Sequence, residues 1–310
     1  MNKAKPKINQ ALSSGHRACA GCGQIIAARL AAEAAGHNTI ISNATGCLEV
    51  TTTPYPETAW GMPWIHSLFE NAAAVASGIR AGLNYKKKSD LRNPTSEIRP
   101  PTVIAQGGDG ASYDIGFGLI SGMWERGEDI LYICYDNEAY MNTGVQASGA
   151  TPYGAHTTTS PAGKQSFGST FRKKNMPAIA IAHRVAYVAT ATVGYPMDIK
   201  NKIKKALSFN GPKYVQILVP CIPGWGIDPK DTIKIGKLAH QTGLWPVFEA
   251  EYGKITKVMP YPQKRPAVEE YLKPQKRFKH LFKSEDEQFE IKKIQKISDE
   301  NIKNIIAESI

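Results

Sequence analysis

Two runs of the chain decide its architecture: Thr102-Val-Ile-Ala-Gln-Gly-Gly-Asp-Gly-Ala-Ser112 and Asp129-Ile-Leu-Tyr-Ile-Cys-Tyr-Asp-Asn-Glu-Ala-Tyr-Met-Asn-Thr-Gly144. Each starts as a short apolar run rich in β-branched and aromatic residues and ends in glycine, acid or amide residues, the composition of a buried strand giving way to a turn. Between them, the stretch from about Ser112 to Arg126 reads as a helix. Strand, helix, strand at this length is a crossover unit, and such units build a parallel sheet.

The same alternation extends in both directions. Upstream, the Ala-rich run from Cys22 to Gly36 predicts a helix stopped by glycine, Asn38 to Asn43 a short buried strand, and Trp64 to Leu83 a helix whose small residues permit close packing. Lys86 to Pro101 is polar and reads as a loop. Downstream, a further unit comprises the apolar runs Ala178 to His183 and Val185 to Thr190, a helix from about Met197 to Ser208, and the run Lys213 to Val219. The fold class is therefore α/β, with a doubly wound, mostly parallel sheet. Asn142 to Lys174 is long, rich in Gly, Thr, Ser and Pro, and without period, which marks a functional loop. Residues 1–252 form the expected core domain. Residues 253–310 turn basic and Pro-punctuated (Pro260, Pro262, Pro266, Pro274) and predict an extended and helical arm that packs on a partner.

The 310 residues are 42% hydrophobic and 21% charged, the profile of a globular protein with its own core. No apolar run approaches the length of a membrane span, and the basic, polar start Met1 to Asn9 has no apolar stretch behind it, so a cytoplasmic protein is expected. The formal charge of +11 calls for anionic partners. Nucleic acid is set aside, because no helix-turn-helix, zinc-finger or aromatic RNA-binding pattern accompanies the charge.

Five cysteines without an export signal do not suggest disulfides. Cys19 and Cys22 form a Cys-Ala-Gly-Cys, Cys47 follows one expected strand and Cys221 another, all beside loop-forming Gly or Pro. Loop backbone of this kind curls around a metal centre and points N–H groups at thiolate sulfurs. A structural zinc site with four cysteine ligands and a four-iron cluster both fit the set. Cys134, inside an apolar run, reads as core.

The ends of the two opening runs face the same edge of a parallel sheet, where helix N-termini meet phosphate. Gly107, Gly108 and Gly110 let backbone approach a phosphate, while Asp109 and Asn137 offer hard oxygens to Mg²⁺. A dinucleotide motif would need a third glycine, and a P-loop a Gly-Lys-Ser/Thr; neither is present. Gly108-Asp-Gly110 followed by Asn137 is the fingerprint of thiamine diphosphate sites.

With Cys19-Ala-Gly-Cys22, Tyr55-Pro-Glu-Thr-Ala-Trp60, Pro63-Trp-Ile-His66, the run Phe69 to Gly78, Gly107-Gly-Asp-Gly110, the run Asp136 to Gly144 and Cys221-Ile-Pro-Gly-Trp225 in order, the chain resembles the beta subunits of pyruvate:ferredoxin oxidoreductase and related 2-oxoacid:ferredoxin oxidoreductases. The resemblance covers about His16 to Leu281. It implies that Cys19, Cys22, Cys47 and Cys221 hold a [4Fe-4S] cluster beside thiamine diphosphate, and that Asp109, Asn137 and the Ala139 carbonyl hold Mg²⁺. Gly108, Asp109, Gly110 and Ala111, with Asn137, Glu138, Ala139, Tyr140, Met141 and Asn142, would line the diphosphate. Asn142 would reach the substrate, and Cys47 would also touch the coenzyme. Gln24 stands where some single-chain relatives carry a glutamate near the coenzyme.

The resemblance further implies oxidative decarboxylation of a 2-oxoacid, pyruvate first and oxalate or a branched-chain acid as alternatives, with coenzyme A taking the acyl group and ferredoxin the electrons. The acidic residue that activates the coenzyme lies in a separate domain of the family, so an alpha subunit with that domain, and gamma and ferredoxin-like delta subunits, are the expected partners. A four-cysteine zinc module in which Gly108-Asp-Gly is only a turn is the reading from another class. His66 and Glu70 read as packing or subunit-contact residues.

Overall fold

The computed structural model describes residues 10–54, 56–89, 100–283 and 285–309. The basic stretch Met1 to Asn9 and most of the loop expected between Lys86 and Pro101 lie outside the described residues.

The two opening runs form β3 (Thr102–Gly108) and β4 (Leu131–Asp136), paired in parallel from Ile104 with Leu131 to Gly108 with Tyr135. Around them stand β1 (Thr39–Asn43), β2 (Trp64–His66), β7 (Tyr187–Thr192), β8 (Lys213–Leu218), β9 (Phe248–Glu251) and β10 (Lys254–Val258). The eight strands are ordered β10-β9-β7-β8-β4-β3-β1-β2. All neighbours are parallel except β9 against β7 and β10 against β9. The long loop after β4 carries its own small antiparallel pair, β5 (Ala162–Gly163) and β6 (Ser166–Phe167).

Alternation along the strands feeds two cores. Ile104, Ile133 and Tyr135 face α1 (Gly23–Ala35) and α6 (Pro196–Ala206), whereas Val103, Ala105, Tyr132 and Cys134 face α3 (Ala72–Ser89), α4 (Phe117–Glu125) and α5 (Met176–Ala182). Central strands covered on both faces read as continuous apolar runs, which is why they were visible in the sequence. Cys134 is fully buried core, as expected.

Three elements differ from their expectation. Trp64–His66, read as the start of a helix, is the edge strand β2, in register with Ile41 to Asn43. The helix begins only at Ala72, after Asn71 Oδ1 accepts from the Leu68 amide at 2.9 Å and so diverts the backbone into a turn. At its far end α3 runs on to Ser89, into the expected loop. The apolar run Ala178 to His183 lies largely in helix α5, because the Asn175 side chain caps the Ala178 amide at 3.1 Å and Pro177 suits a first helical turn. The helix expected from Ser112 opens instead as a π-helical turn, Gly110–Ile115, before α4.

The expected division at residue 252 falls on the turn between β9 and β10, so a hairpin joins the two parts within one sheet. Beyond it, α9 (Val268–Leu272), a 3₁₀ stretch (Lys276–Phe282) and α10 (Glu285–Ala307) fold back on this chain. Their Tyr271, Leu272, Phe278, Leu281 and Ile294 form a third core with Trp225 of the short helix α7 (Ile222–Trp225), Ile235 of α8 (Thr232–Gln241) and Trp245. This part is thus built into the body. Among the described residues, no helix is long and apolar enough to cross a membrane.

Candidate coenzyme and cluster site

The carboxyl ends of β1, β3, β4 and β8 lie side by side, and the sequence-predicted residues leave the sheet there. Beyond β1 comes Ala44-Thr-Gly46 and then the short helix α2 (Cys47–Thr52). Beyond β3 comes Asp109 and the π-helical turn, beyond β4 the segment Asn137 to Asn142, and beyond β8 Pro220 and Cys221.

Three of these groups converge. With its nitrogen facing two acceptors, the Asn137 amide donates to the Ala139 carbonyl at 2.7 Å and to Asp109 Oδ1 at 3.0 Å. The Asn137 main-chain N–H also donates to Asp109 Oδ1, at 3.3 Å. The other carboxylate oxygen of Asp109 accepts from Ser148 Oγ at 2.5 Å. Burial, then the neighbouring Asp136 charge, push the Asp109 carboxyl well above the usual carboxylate range. A buried acid beside an amide and a carbonyl is a hard-oxygen donor set of the kind that takes a divalent cation. The donor chemistry fits Mg²⁺.

A small cavity of about 90 Å³ opens beside them. Gly108, Asp109, Gly110, Asn137, Ala139, Tyr140, Met141 and Asn142 line it together with Gln24 and Cys47. Asn142 is exposed at the rim. A Cβ on Gly110 would overlap the Tyr140 ring, which is held by a 2.8 Å hydrogen bond to Asp114 and by an edge contact with Phe69. Whole small-molecule sites usually hold roughly 300–1,000 Å³, so this cleft has room for only one end of such a molecule.

Two expected lining residues sit elsewhere. The Ala111 side chain is buried against Ala44 and Ala72 and does not line the cavity. Glu138 turns its carboxylate away, toward a larger cavity of about 370 Å³ between the sheet and α10. There Lys173 Nζ meets it at 3.0 Å and Arg277 Nη2 at 2.6 Å. Burial alone would raise the Glu138 carboxyl, but Lys173 and Arg277 overcome it and hold the group below the usual range. Lys173 also pairs with buried Asp136 at 2.7 Å, and Tyr113 and Gln216 donate to the same oxygen at 2.8 and 3.0 Å. The cations around this larger cavity are thus already engaged by the protein.

Of the four loop cysteines, Cys47 lines the cleft. Gly23 N–H donates to the Pro220 carbonyl at 3.2 Å, tying the Cys19–Cys22 turn to the strand end that carries Cys221. A Cβ on Gly23 would lie 2.8 Å from the Pro220 nitrogen, so only glycine permits this approach. Cys221 Sγ accepts from the Gly224 amide at 3.4 Å. Burial first, then the charges of Cys22 and Cys19, push the Cys47 thiol up to about 11. Cys221 is pushed up to about 12 by burial, with Cys47, Cys22 and Cys19 contributing after it. All four therefore lie within electrostatic reach of one another, the donor chemistry of a thiolate-held cluster. Among the described residues, no three His, Cys, Asp or Glu side chains are drawn together tightly enough to hold a metal ion as they stand.

Ser148, Lys173 and Arg277 escaped the sequence reading, although the first two lie in the loop marked as functional. His66 contacts Thr45 on the cleft wall at 2.8 Å.

This fold and cleft define a class. Residues 44–217 match the family described as thiamine pyrophosphate enzyme, C-terminal TPP binding domain. The chain is 53% identical over 305 residues to the pyruvate synthase subunit PorB of Methanosarcina barkeri, covering 98% of this chain and 99% of that one. It is 55% identical over 289 residues to the PorB subunit of Methanocaldococcus jannaschii, covering 93% and 94%. The ketoisovalerate oxidoreductase subunit VorB of Pyrococcus abyssi is 44% identical over 278 residues, covering 88% and 87%. A solved 2-oxoglutarate:ferredoxin oxidoreductase from Magnetococcus marinus shares the fold, with a TM-score of 0.54 at 22% identity, over 76% of this chain and 81% of that one. The chain belongs to the 2-oxoacid:ferredoxin oxidoreductases of the pyruvate synthase type, as their beta subunit. Gly108-Asp-Gly110 lies inside the matched thiamine pyrophosphate domain, which removes the support for a zinc module whose glycines merely turn the chain.

Proposed function

We propose that this chain holds thiamine diphosphate through Mg²⁺, and a [4Fe-4S] cluster beside it, in an enzyme that oxidatively decarboxylates pyruvate. The observation that carries the proposal is the convergence of Asp109, Asn137 and the Ala139 carbonyl on a cleft that Cys47 also lines. When bound, the coenzyme supplies a carbon nucleophile for the keto group, and the cluster accepts electrons one at a time.

The chain's own residues bind and orient. Asp109, Asn137 and Ala139 would take the cation, with Asn137 turning its amide oxygen inward where its amide nitrogen now donates to Asp109 and Ala139. The amides of Gly110 and Ala111, which open the π-helical turn, would meet a diphosphate. Asn142, at the rim, would meet the substrate, in the cleft that Gln24 and Cys47 also line. Cys19, Cys22, Cys47 and Cys221 would hold the cluster, their thiols deprotonating as iron binds.

The open cleft favours an alpha subunit that closes the pyrimidine end, with gamma and delta subunits, coenzyme A and ferredoxin completing a cytoplasmic reaction. The charge of +11 suits acidic partners. Pyruvate is favoured over branched-chain acids because the PorB subunits of Methanosarcina barkeri and Methanocaldococcus jannaschii, at 53 and 55% identity, are more similar to this chain than VorB at 44%.

The test is elemental and coenzyme analysis of the assembled complex purified without oxygen, followed by ferredoxin-reduction assays across pyruvate, 2-oxoisovalerate, oxalate and 2-oxoglutarate. Iron, sulfide and thiamine diphosphate in the protein, with pyruvate the fastest substrate, are expected. Material without iron and sulfide overturns the cluster, and a faster branched-chain acid overturns the substrate.

A further inference from the structure

A single guanidinium fixes two consecutive residues of the coenzyme segment from a distant part of the chain. Arg277 lies in the 3₁₀ stretch Lys276–Phe282, and its side chain is buried. Its Nη2 donates to Glu138 Oε2 at 2.6 Å and its Nε to Gln275 Oε1 at 2.9 Å. The flat face of the same group covers Trp225, with Cζ 3.7 Å from the ring centroid. Trp225 Nε1 in turn donates to the main-chain carbonyl of Asn137 at 2.7 Å. Arg277 thus grips Glu138 directly and Asn137 through the indole.

The segment needs holding. Glu138 has φ 67, in the left-handed region that a side chain other than glycine keeps only where its surroundings over-determine it. Its carbonyl accepts from Thr151 Oγ1 at 2.9 Å, and its carboxylate is anchored away from the cleft, so the main chain presents Asn137 and Ala139 on the opposite side.

We infer that Arg277 is a positioning residue for the coenzyme site, locking Asn137 and Ala139 into the geometry that takes a cation and a diphosphate. The inference rests on the reading of the site given above. Arginine is required because the two jobs need a planar fork that pairs along its edge and stacks on its face. A lysine ammonium provides only the charge. Loss of Arg277 still leaves Glu138 paired with Lys173 at 3.0 Å, so an Arg277→Met chain retains a partner for the buried carboxylate.

The experiment uses the assembled complex stripped of coenzyme and titrated calorimetrically with thiamine diphosphate at fixed Mg²⁺. Arg277→Met should raise the apparent Kd about 10–100-fold, as loss of an outer partner of a metal ligand does. Arg277→Lys should recover only part of the affinity, and Trp225→Phe, which keeps a ring but loses the donor, should also weaken binding. At saturating coenzyme, kcat of Arg277→Met should return toward wild type. A second readout needs no variant: on adding coenzyme and Mg²⁺ to the wild-type complex, hydrogen exchange should slow at residues 275–282 together with residues 137–142, because coupling between two sites is reciprocal. Wild-type affinity in both Arg277→Met and Trp225→Phe, or protection confined to residues 137–142, overturns the inference and leaves the reading of the site standing. A wild-type complex that takes up no thiamine diphosphate overturns that reading, and the inference with it.

Discussion

Ser148 Oγ donates to Asp109 Oδ2 at 2.5 Å across a separation of 39 residues, so the long loop after β4 reaches back to orient the acid at the end of β3. The bond fixes which carboxylate oxygen is spent within the protein and leaves Oδ1 directed at Asn137. Removing the hydroxyl frees the carboxylate to rotate. Ser148→Ala is expected to weaken Mg²⁺-dependent coenzyme binding by about tenfold, with a stability change of only about 1 kcal/mol. Titration of Mg²⁺ at fixed thiamine diphosphate checks this; an unchanged Mg²⁺ requirement would show that Asp109 needs no orientation from the loop.

The cysteines divide into two kinds that substitution should separate. Cys47 and Cys221 lie among the electrostatically linked set, whereas Cys134 is sealed in the core between the sheet and helices α3, α4 and α5, with Tyr132 and Tyr214 in the same cluster. Cys221→Ser should lower the iron and sulfide content of the complex and its broad visible absorption. Cys134→Ala should leave iron stoichiometry as in wild type and cost about 1–2 kcal/mol of stability through lost packing. Iron analysis with thermal unfolding distinguishes them, and an equal loss of iron in both chains would contradict the assignment.

How legible the site was follows from distance along the chain. The ends of β3 and β4 were readable because their strands are covered on both faces, which leaves unbroken apolar runs, and because the groups that converge sit within a few residues of those ends. Trp64–His66 was unreadable as a strand because an edge strand of three residues carries no period, and its neighbours Ala72 to Ala76 pull the pattern toward helix. Arg277 was invisible for another reason. Its partners, Glu138 and Trp225, are brought to it by the third core, and nothing near Arg277 in sequence marks it as different from the other basic residues of a Lys-rich segment.

The hairpin that joins the last part of the chain to the sheet carries a pH-dependent anchor. Burial alone would raise the Glu249 carboxyl, but hydrogen bonds from Lys205 at 2.7 Å and Tyr187 at 3.0 Å, with the attraction of Lys205 and Lys202, hold it below the usual 4.5. A carboxyl depressed on folding contributes stability above its unfolded value, and this is lost as pH falls through the folded one. The difference in thermal midpoint between wild type and Glu249→Gln should therefore be constant from about pH 7 to about pH 6 and shrink below about pH 4.5. A difference that stays flat to lower pH would mean that the pair contributes nothing that ionisation controls.

The two glycines flanking Asp109 should behave differently, which tests the cleft against a purely architectural reading. At Gly108, an added Cβ meets nothing nearer than the Tyr135 carbonyl at 4.0 Å, and the residue lines the cleft. Gly108→Ala should keep the coenzyme-free stability within about 0.5 kcal/mol of wild type. At Gly110 the same methyl overlaps the Tyr140 ring, which Asp114 and Phe69 prevent from swinging aside, so Gly110→Ala should cost about 1–3 kcal/mol even without coenzyme. Binding to the folded state raises the thermal midpoint, and in wild type thiamine diphosphate with Mg²⁺ should do so. In Gly108→Ala that rise should disappear although the fold is intact, because the methyl occupies space where the diphosphate meets the backbone. A Gly108→Ala chain that retains the full coenzyme-dependent rise would place the diphosphate elsewhere, whatever happens at Gly110.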